Sequence, residues 1–453
     1  MEQDPRSQER CIFHIDVNSA FLSWSAVKRL SENPKATDLR TIPSAVGGDV
    51  KTRHGIITAK SIPAKKYGVT TGEPVVKALQ KCPQLVLIPS DFKTYRMYSQ
   101  AFMDILHRYC PAVEQASIDE AYMDMTGLSE NFAAYSERTG IWFPECAAMQ
   151  IKNEIRDTLG FTVNVGISVN KLLAKTASDF EKPDRIHTLY PDELEEKFWP
   201  MPIDRLYGCG PATAGKLKAI GMDTIGEAAH ADPDILRAIL GEKAGDYIYK
   251  SANGISDSPV ETEEEDARGY SNEMTTAVDI TRENYAREMP PLIRELSRSV
   301  SRRLKRDGVR AFTVGVMVKT DSFKRHSRQT KLPDSTDKEQ VIEKTAGTLM
   351  EQLLFGRGGL FQKGNRIRLA GVFATGLDRG NYHQISLMEA LENMKSAEME
   401  RSAREKAGAE KKQRAALDDM MKKIRSRYGQ DAVRKGAKPD ADENNTAERG
   451  VCL

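Results

Sequence analysis

An alternation of short apolar strands with amphipathic helices predicts an α/β (α+β) chain whose first part closes into a ferredoxin-like βαββαβ sheet. Three observations carry that prediction. Cys11-Ile-Phe-His-Ile-Asp16-Val is an apolar run of strand length that ends at an acid. Tyr98, Phe102, Ile105, Leu106 and Tyr109 recur at helical spacing and give one apolar stripe. Residues 113–118 and 121–126 read as two extended segments about a tight Asp119-Glu120 connection.

The elements follow in order. After the first strand a helix is expected over about 20–30, closed by the Asn33-Pro34 breaker. Residues 41–90 read as short strands with a helix around 74–81. The long striped helix and the hairpin come next. A helix over about 144–159 then leads through Gly160 into a β-rich run at 161–169. Helical signals dominate from 171 to 253, and the acidic run 261–266 reads as a linker. Residues 269–377 form a second α/β unit, with strands near 312–318 and 367–373 around two helices. Beyond Arg379 the chain is charged and alanine-rich, with a helix expected at about 415–428 and a disordered end over the last fifteen residues.

With 453 residues, 40% of them apolar and 29% charged, the chain can hold two to four domains with real cores. It contains no apolar run of about 18 residues, so no membrane span is expected. Its polar first ten residues lack a signal region, which predicts a cytoplasmic protein. Cys11, Cys82, Cys110, Cys146, Cys209 and Cys452 form no C-x-x-C pair and read as reduced, mostly buried thiols. The net charge of +2 hides an uneven distribution. From Arg294 to Lys331 twelve Lys/Arg stand against Glu295, Asp307 and Asp321, a net +9. Such a stretch is either a phosphate-tracking surface or a solvated helix face.

Asp16 ends the first strand, and Asp119 and Glu120 sit in a hairpin turn. A strand end can aim a carboxylate outward from a rigid sheet. Phosphoryl transfer asks for such acids, because its two Mg²⁺ ions lie roughly 3.5–4 Å apart and take only a few carboxylates each. Alone, a turn Asp-Glu pair is polar punctuation.

The surrounding sequence is more specific. His14-Ile-Asp16-Val-Asn-Ser-Ala-Phe21 and Ser117-Ile-Asp119-Glu120-Ala-Tyr-Met-Asp124 resemble the two catalytic motifs of the Y-family, or translesion, DNA polymerases. The resemblance continues in Gly55-Ile-Ile-Thr-Ala-Lys60-Ser-Ile62-Pro-Ala-Lys65-Lys66-Tyr-Gly68. It continues again in Asn164-Val-Gly-Ile-Ser-Val-Asn-Lys171-Leu-Leu-Ala-Lys175-Thr-Ala-Ser-Asp179-Phe-Glu-Lys182-Pro183. It is dense over 11–257 and looser over 269–377.

The resemblance implies a right-hand polymerase: palm at 1–22 and 88–180, small fingers at 23–87, a helical thumb at 181–257, a linker at 258–268, an α/β little finger at 269–378 and a tail at 379–453. It implies that Asp16, Asp119 and Glu120, with the Val17 carbonyl, hold two Mg²⁺ ions. Phe21 takes the place of the family's steric gate against ribonucleotides, and Lys171 matches the lysine that reaches the triphosphate. Two positions depart from the pattern. Ile62 and Lys65 stand where the family usually carries a tyrosine and an arginine, so a hydroxyl and a bidentate fork are lost, with Lys60 or Lys66 as substitutes.

Asp204-Arg-Leu-Tyr-Gly208-Cys-Gly210-Pro-Ala-Thr-Ala-Gly-Lys216 resembles a helix-hairpin-helix that binds DNA phosphates through backbone N–H groups. Gln384-Ile-Ser-Leu387-Met388 resembles the short peptide by which bacterial polymerases dock on the sliding clamp. Nothing resembles a proofreading exonuclease. The expectation is a monomeric, low-fidelity, template-directed DNA polymerase of DNA damage tolerance and repair, acting on primer-template DNA and deoxynucleoside triphosphates. The alternative is a catalytically impaired DNA- and clamp-binding accessory protein, for which Ile62 and Lys65 speak. A palm enzyme of another kind, such as a nucleotide cyclase, leaves the hairpin motif, the basic segment and the clamp-like peptide without a role.

Overall fold

The computed structural model describes residues 10–48, 55–263 and 266–380 and, in the tail, 412–429 apart from 414 and 428. Strand β1 (Ile12–Val17), buried along its whole length, lies in the middle of a five-stranded sheet. Helix α1 (Ala20–Glu32) leads into an inserted three-stranded sheet of β2 (Ser44–Gly47), β3 (Ile57–Lys60) and β4 (Val86–Ile88). That insert also carries α2 (Ile62–Lys66) and α3 (Val75–Lys81). Helix α4 (Phe92–Tyr109) returns the chain to β5 (Val113–Gln115) and β6 (Glu120–Asp124). Helices α5 (Ala133–Thr139) and α6 (Glu145–Leu159), strand β7 (Val163–Ser168), helix α7 (Lys171–Ser178) and strand β8 (Ile186–Thr188) complete the unit.

The strand order β5-β6-β1-β7-β8 is antiparallel from β5 to β7, the ferredoxin-like order that the sequence predicts. Strand β8 adds a parallel edge on β7 within the stretch read as helical. Alternation along β1 then divides the chemistry. Phe13, Ile15 and Val17 enter a core with Phe102, Leu106, Ile151 and Ile155 of α4 and α6. Each large apolar side chain buried there contributes about 1.5–3 kcal/mol. Ile12 packs on the opposite face with Tyr122 and Ala174 of α7, so His14 and Asp16 share the α7 face. Gly166 of β7 permits the close seating of α7, because a Cβ there would lie 2.0 Å from the Ala174 carbonyl oxygen.

Helices α8 (Pro211–Lys218), α9 (Ile225–Ala229), α10 (Pro233–Leu240) and α11 (Glu242–Ala252) gather around Phe198, Leu217, Leu236 and Ile248. The C-terminal unit is a second antiparallel sheet, of β9 (Gly269–Ile280), β10 (Arg310–Thr320), β11 (Arg325–Thr336) and β12 (Ile367–Asp378), ordered β11-β10-β12-β9. Helices α12 (Tyr285–Arg306) and α13 (Glu339–Phe355) share its core. The sequence reading found the inner strands β10 and β12 and missed the edges β9 and β11.

The basic run is split between two sides of this unit. Arg294 and Arg298 of α12 pair with Glu343 (3.0 Å) and Glu339 (3.2 Å) of α13, and Arg306 pairs with Asp307 (2.7 Å). Arg328 reaches Gln352 of α13 (2.9 Å), so its side of β11 faces the helices. Arg325 and Lys331 have the opposite parity and face away, and Lys319 is the register partner of Arg325. The charge is therefore divided between a helix side, where Arg294 and Arg298 are paired, and a strand side, where Arg325 pairs with Glu273 (3.4 Å).

In the tail, residues 415–427 are helical, while the clamp-like peptide at 384–388 and the last fifteen residues lie outside the described residues. The five cysteines among the described residues are free and buried. No helix among the described residues is long and apolar enough to cross a membrane.

Candidate active site

The β1–β6 register places Asp16 directly opposite Glu120. The Val17 N–H donates to the Asp119 carbonyl (3.0 Å) and draws the third acid to the end of β1. The Ser117 hydroxyl donates to Asp119 Oδ1 (2.7 Å) and accepts from the Asp119 N–H (3.2 Å), fixing the turn. Glu120 is the first residue of β6, not part of the turn as the sequence reading has it; its carbonyl accepts the Ala116 and Ser117 N–H groups.

The carboxyls of the two facing acids are shifted in opposite directions. Asp16 is 8% exposed, and burial pushes its carboxyl up to about 6 although the Lys182 ammonium sits on it. Glu120 is more open. The His14 ring that faces it and the Lys175 ammonium at 2.8 Å hold its carboxyl down at about 2. Burial lowers the His14 pKa. Its Nδ1 meets Ser178 Oγ at 2.7 Å, while Nε2 lies 3.8 Å from Glu120 Oε2, beyond hydrogen-bond reach.

The donor chemistry suits a hard divalent cation, which takes carboxylate oxygen. Lys182 and Lys175 now supply the positive charge that the partly buried carboxylates require. Among the described residues no three acidic, thiol or imidazole groups converge into a finished metal cluster.

A pocket opens on each side of the acid pair. On the Asp16 side, about 190 Å³ is lined by Asn18, Ser19, Lys60, Ile62, Lys65 and Lys182. The Ser61 side chain caps α2 by accepting the Ala64 N–H (3.0 Å), which sets Ile62 and Lys65 on the pocket wall. Burial and the neighbouring Lys65 lower the Lys60 pKa. Of the two lysines considered as substitutes, Lys60 lines this pocket and Lys66 does not.

Lys182 escaped the sequence reading. Buried Asn164 holds the loop that carries it, donating to the Ser178 (3.0 Å) and Glu181 (2.7 Å) carbonyls, and Asn18 accepts the Asp184 N–H (2.9 Å). The signal was present, since Lys182-Pro183 closes the motif that begins at Asn164.

On the Glu120 side, a cleft of about 550 Å³ is lined by Glu114, Tyr122, Lys171, Lys175, Tyr207 and Lys250. Asn170 caps α7, so Lys171 and Lys175 stand one turn apart on one helix face. Lys175 reaches Glu120, whereas Lys171 reaches Glu114 (2.6 Å) and the Pro259 carbonyl (3.1 Å). Helical spacing carries Lys171 into this cleft, away from the Asp16 pocket, and Lys182 stands beside Asp16.

Phe21, the second residue of α1, is half-buried with its ring stacked on Tyr95 (centroids 4.5 Å apart). Gly208 has φ +83, and a Cβ there would meet the Tyr247 hydroxyl at 2.5 Å, so the hairpin requires glycine at this point. Gly210 caps α8, whose last turn carries exposed Lys216. Only a single 3₁₀ turn, Ile203–Arg205, precedes the hairpin in place of the expected first helix.

Three acids at the end of a ferredoxin-like sheet, set between a lysine-lined pocket and an open cleft, define a right-hand polymerase of the nucleotidyl-transferring class. Residues 15–179 match the impB/mucB/samB family, and residues 267–387 match the C-terminal domain of that family. DNA polymerase IV of Clostridium acetobutylicum is 36% identical over 96% of this chain and 99% of its own. DNA polymerase IV 1 of Bacillus subtilis is 34% identical over 97% of this chain and 95% of its own. A solved structure, the Y-family DNA polymerase chimera Dbh-Dpo4(243-245)-Dbh, shares the fold with a TM-score of 0.67 at 24% identity. It covers 81% of this chain and 98% of its own. The chain belongs to the impB/mucB/samB family, the Y-family DNA polymerases, which are metal-dependent DNA-directed DNA polymerases.

Proposed function

We propose that this chain extends a primer 3′-hydroxyl on damaged or distorted templates, with low fidelity and no proofreading. The observation that carries the reading is the pairing of Asp16 with Glu120 across β1 and β6, between a cation-lined pocket and an open cleft. Asp16, Asp119 and Glu120, with the Val17 carbonyl, would hold two Mg²⁺ ions. Bound there, the ions supply Lewis-acid stabilisation of the attacking and leaving oxygens.

The remaining roles belong to the chain's own side chains. Lys60, Lys65 and Lys182 bind and orient the triphosphate and offset its charge, which answers the missing arginine with three point charges. Phe21 excludes the 2′-hydroxyl. Lys171, Lys175 and Lys250 line the path of the primer strand. Gly208, Gly210 and Lys216 meet DNA phosphates at the hairpin, and Lys319, Arg325 and Lys331 do so from the open side of the second sheet.

In this reading the palm is 1–22 and 88–180, the fingers 23–87, the thumb 181–257, the linker 258–268, the little finger 269–378 and the tail 379–453. Gln384, Leu387 and Met388 dock on a sliding clamp. The enzyme works as a cytoplasmic monomer.

Primer extension with Mg²⁺ and deoxynucleotides, comparing the wild type with Asp119→Ala, tests the proposal. Extension by the wild type alone supports it. Retained DNA binding with no extension by either protein instead favours the accessory reading. Phe21→Ala is expected to admit ribonucleotides, and unchanged sugar discrimination would remove Phe21 from its role.

A further inference from the structure

The turn from β10 to β11 runs through Asp321, Ser322, Phe323 and Lys324. It is tight: the Phe323 N–H donates to the Thr320 carbonyl (2.9 Å), the Thr320 N–H to the Lys324 carbonyl (3.0 Å), and the Lys324 N–H to Thr320 Oγ1 (3.2 Å). This closure leaves Phe323 at φ +63, in the left-handed region. Glycine or asparagine fills such a position without strain, whereas a bulky aromatic residue is a steric outlier.

Core packing does not compensate for the strain. Phe323 is 60% exposed and joins none of the apolar clusters of the described residues. Its ring is instead flanked by cations, with Lys319 Nζ 5.1 Å and the Arg368 guanidinium 5.2 Å from the centroid. The same end of the sheet carries Lys324, Arg325 and Arg366, and the Asp321 N–H donates to the Arg366 carbonyl (2.9 Å). Asp321, Glu273, which pairs with Arg325 at 3.4 Å, and Glu283, close to Arg366, are acids nearby. A strained backbone thus holds one flat apolar ring out in solvent, within a predominantly positive patch.

A partner that matches this surface is planar where it meets the ring and anionic alongside it. An unpaired nucleobase with its flanking phosphates has that chemistry, and a base inside a duplex does not offer its face. We propose that Phe323 is a stacking platform for an unpaired base of the bound nucleic acid. On binding, Lys319 and Arg368 exchange their contacts with the ring for the flanking phosphates. The proposal rests on the polymerase reading only for the presence of nucleic acid.

Fluorescence anisotropy with the full chain tests it, using labelled oligothymidylate and an abasic strand of equal length, which has the same phosphates and no bases. Phe323→Ala is expected to weaken oligothymidylate binding about tenfold and to leave the abasic strand unchanged. Phe323→Trp retains wild-type affinity. Phe323→Gly loses oligothymidylate affinity as the alanine variant does while melting no lower than the wild type, because glycine relieves the positive φ. The Lys319→Ala/Arg368→Ala pair weakens binding to both strands.

Unchanged oligothymidylate binding by Phe323→Ala, or equal losses on both strands, overturns the proposal. Primer extension by the same wild-type preparation decides the polymerase reading separately. Activity without a base-dependent defect sinks the stacking role alone, and absence of activity sinks the enzyme alone.

Discussion

Asp16 and Glu120 face one another across two hydrogen-bonded strands, yet the regions behind them are built differently. Behind Asp16 lies a small pocket whose cations, Lys60, Lys65 and Lys182, come from β3, α2 and a loop clamped by asparagines. Behind Glu120 lies a larger cleft whose lysines, Lys171 and Lys175, come from one helix face and are already paired with glutamates. The difference supports the proposed division, with the nucleotide on the Asp16 side and the nucleic acid on the Glu120 side. Three lysines drawn from separate elements around one buried carboxylate suit a compact polyanion, although Lys182 already pairs with Asp16 and Asp179. Glutamate-paired lysines along an open cleft suit a long strand that exchanges those pairs for phosphates.

Removal of either acid is expected to have the largest effect. Asp16→Asn and Glu120→Gln are each expected to cut single-turnover primer extension by at least about 10²–10³-fold, with DNA binding retained. Loss in one variant only would show that the two strands do not share one site. A smaller effect is expected at the second sheet. Alanine at Lys319, Arg325 and Lys331 together is expected to weaken DNA binding across sequences and to reduce the slope of log K against log salt by about 2–3. An unchanged slope would return the basic run to a solvated face.

The smallest effect concerns stability and has opposite signs on the two sides. Burial raises the Asp16 carboxyl to about 6, above its unfolded value. The metal-free fold therefore bears a cost that builds as pH rises from about 4 and is complete above about 6; below about 4 the carboxyl is protonated in both states and the cost vanishes. Asp16→Asn is expected to raise the melting temperature of metal-free protein at pH 8, by at most about 3 kcal/mol in stability, with the gain fading toward pH 4. Glu120 is lowered to about 2, so its contribution is present above pH 4.5 and is lost as pH falls toward 2. Glu120→Gln is accordingly expected to lower the melting temperature at pH 8. Thermal melts of both variants across pH check the signs.

The sequence exposed the parts of the fold in which burial writes a pattern. Strands β1 and β7 are buried throughout, and β10 and β12 are the inner strands of their sheet, so all four carry apolar runs. The edge strands β9 and β11 were missed because their solvent-facing sides are polar; β11 reads Arg-His-Ser-Arg-Gln-Thr-Lys-Leu-Pro-Asp-Ser-Thr and even accommodates a proline, as edges do. The three acids were legible because motif and strand end coincide. Lys171 and Lys182 were not separable from spacing alone. Eleven residues apart in one motif, they are directed to opposite pockets by the Asn170 cap on α7 and by the Asn164 clamp on the following loop, and both are tertiary devices.

Steady-state primer extension by Lys182→Ala and Lys171→Ala, with nucleotide and primer-template titrated in turn, measures the division between the two pockets most directly. Lys182→Ala is expected to raise the nucleotide KM about tenfold or more with little change in the primer-template KM, and Lys171→Ala to do the reverse. A nucleotide KM that rises in Lys171→Ala and stays unchanged in Lys182→Ala would contradict that division and return Lys171 to the triphosphate.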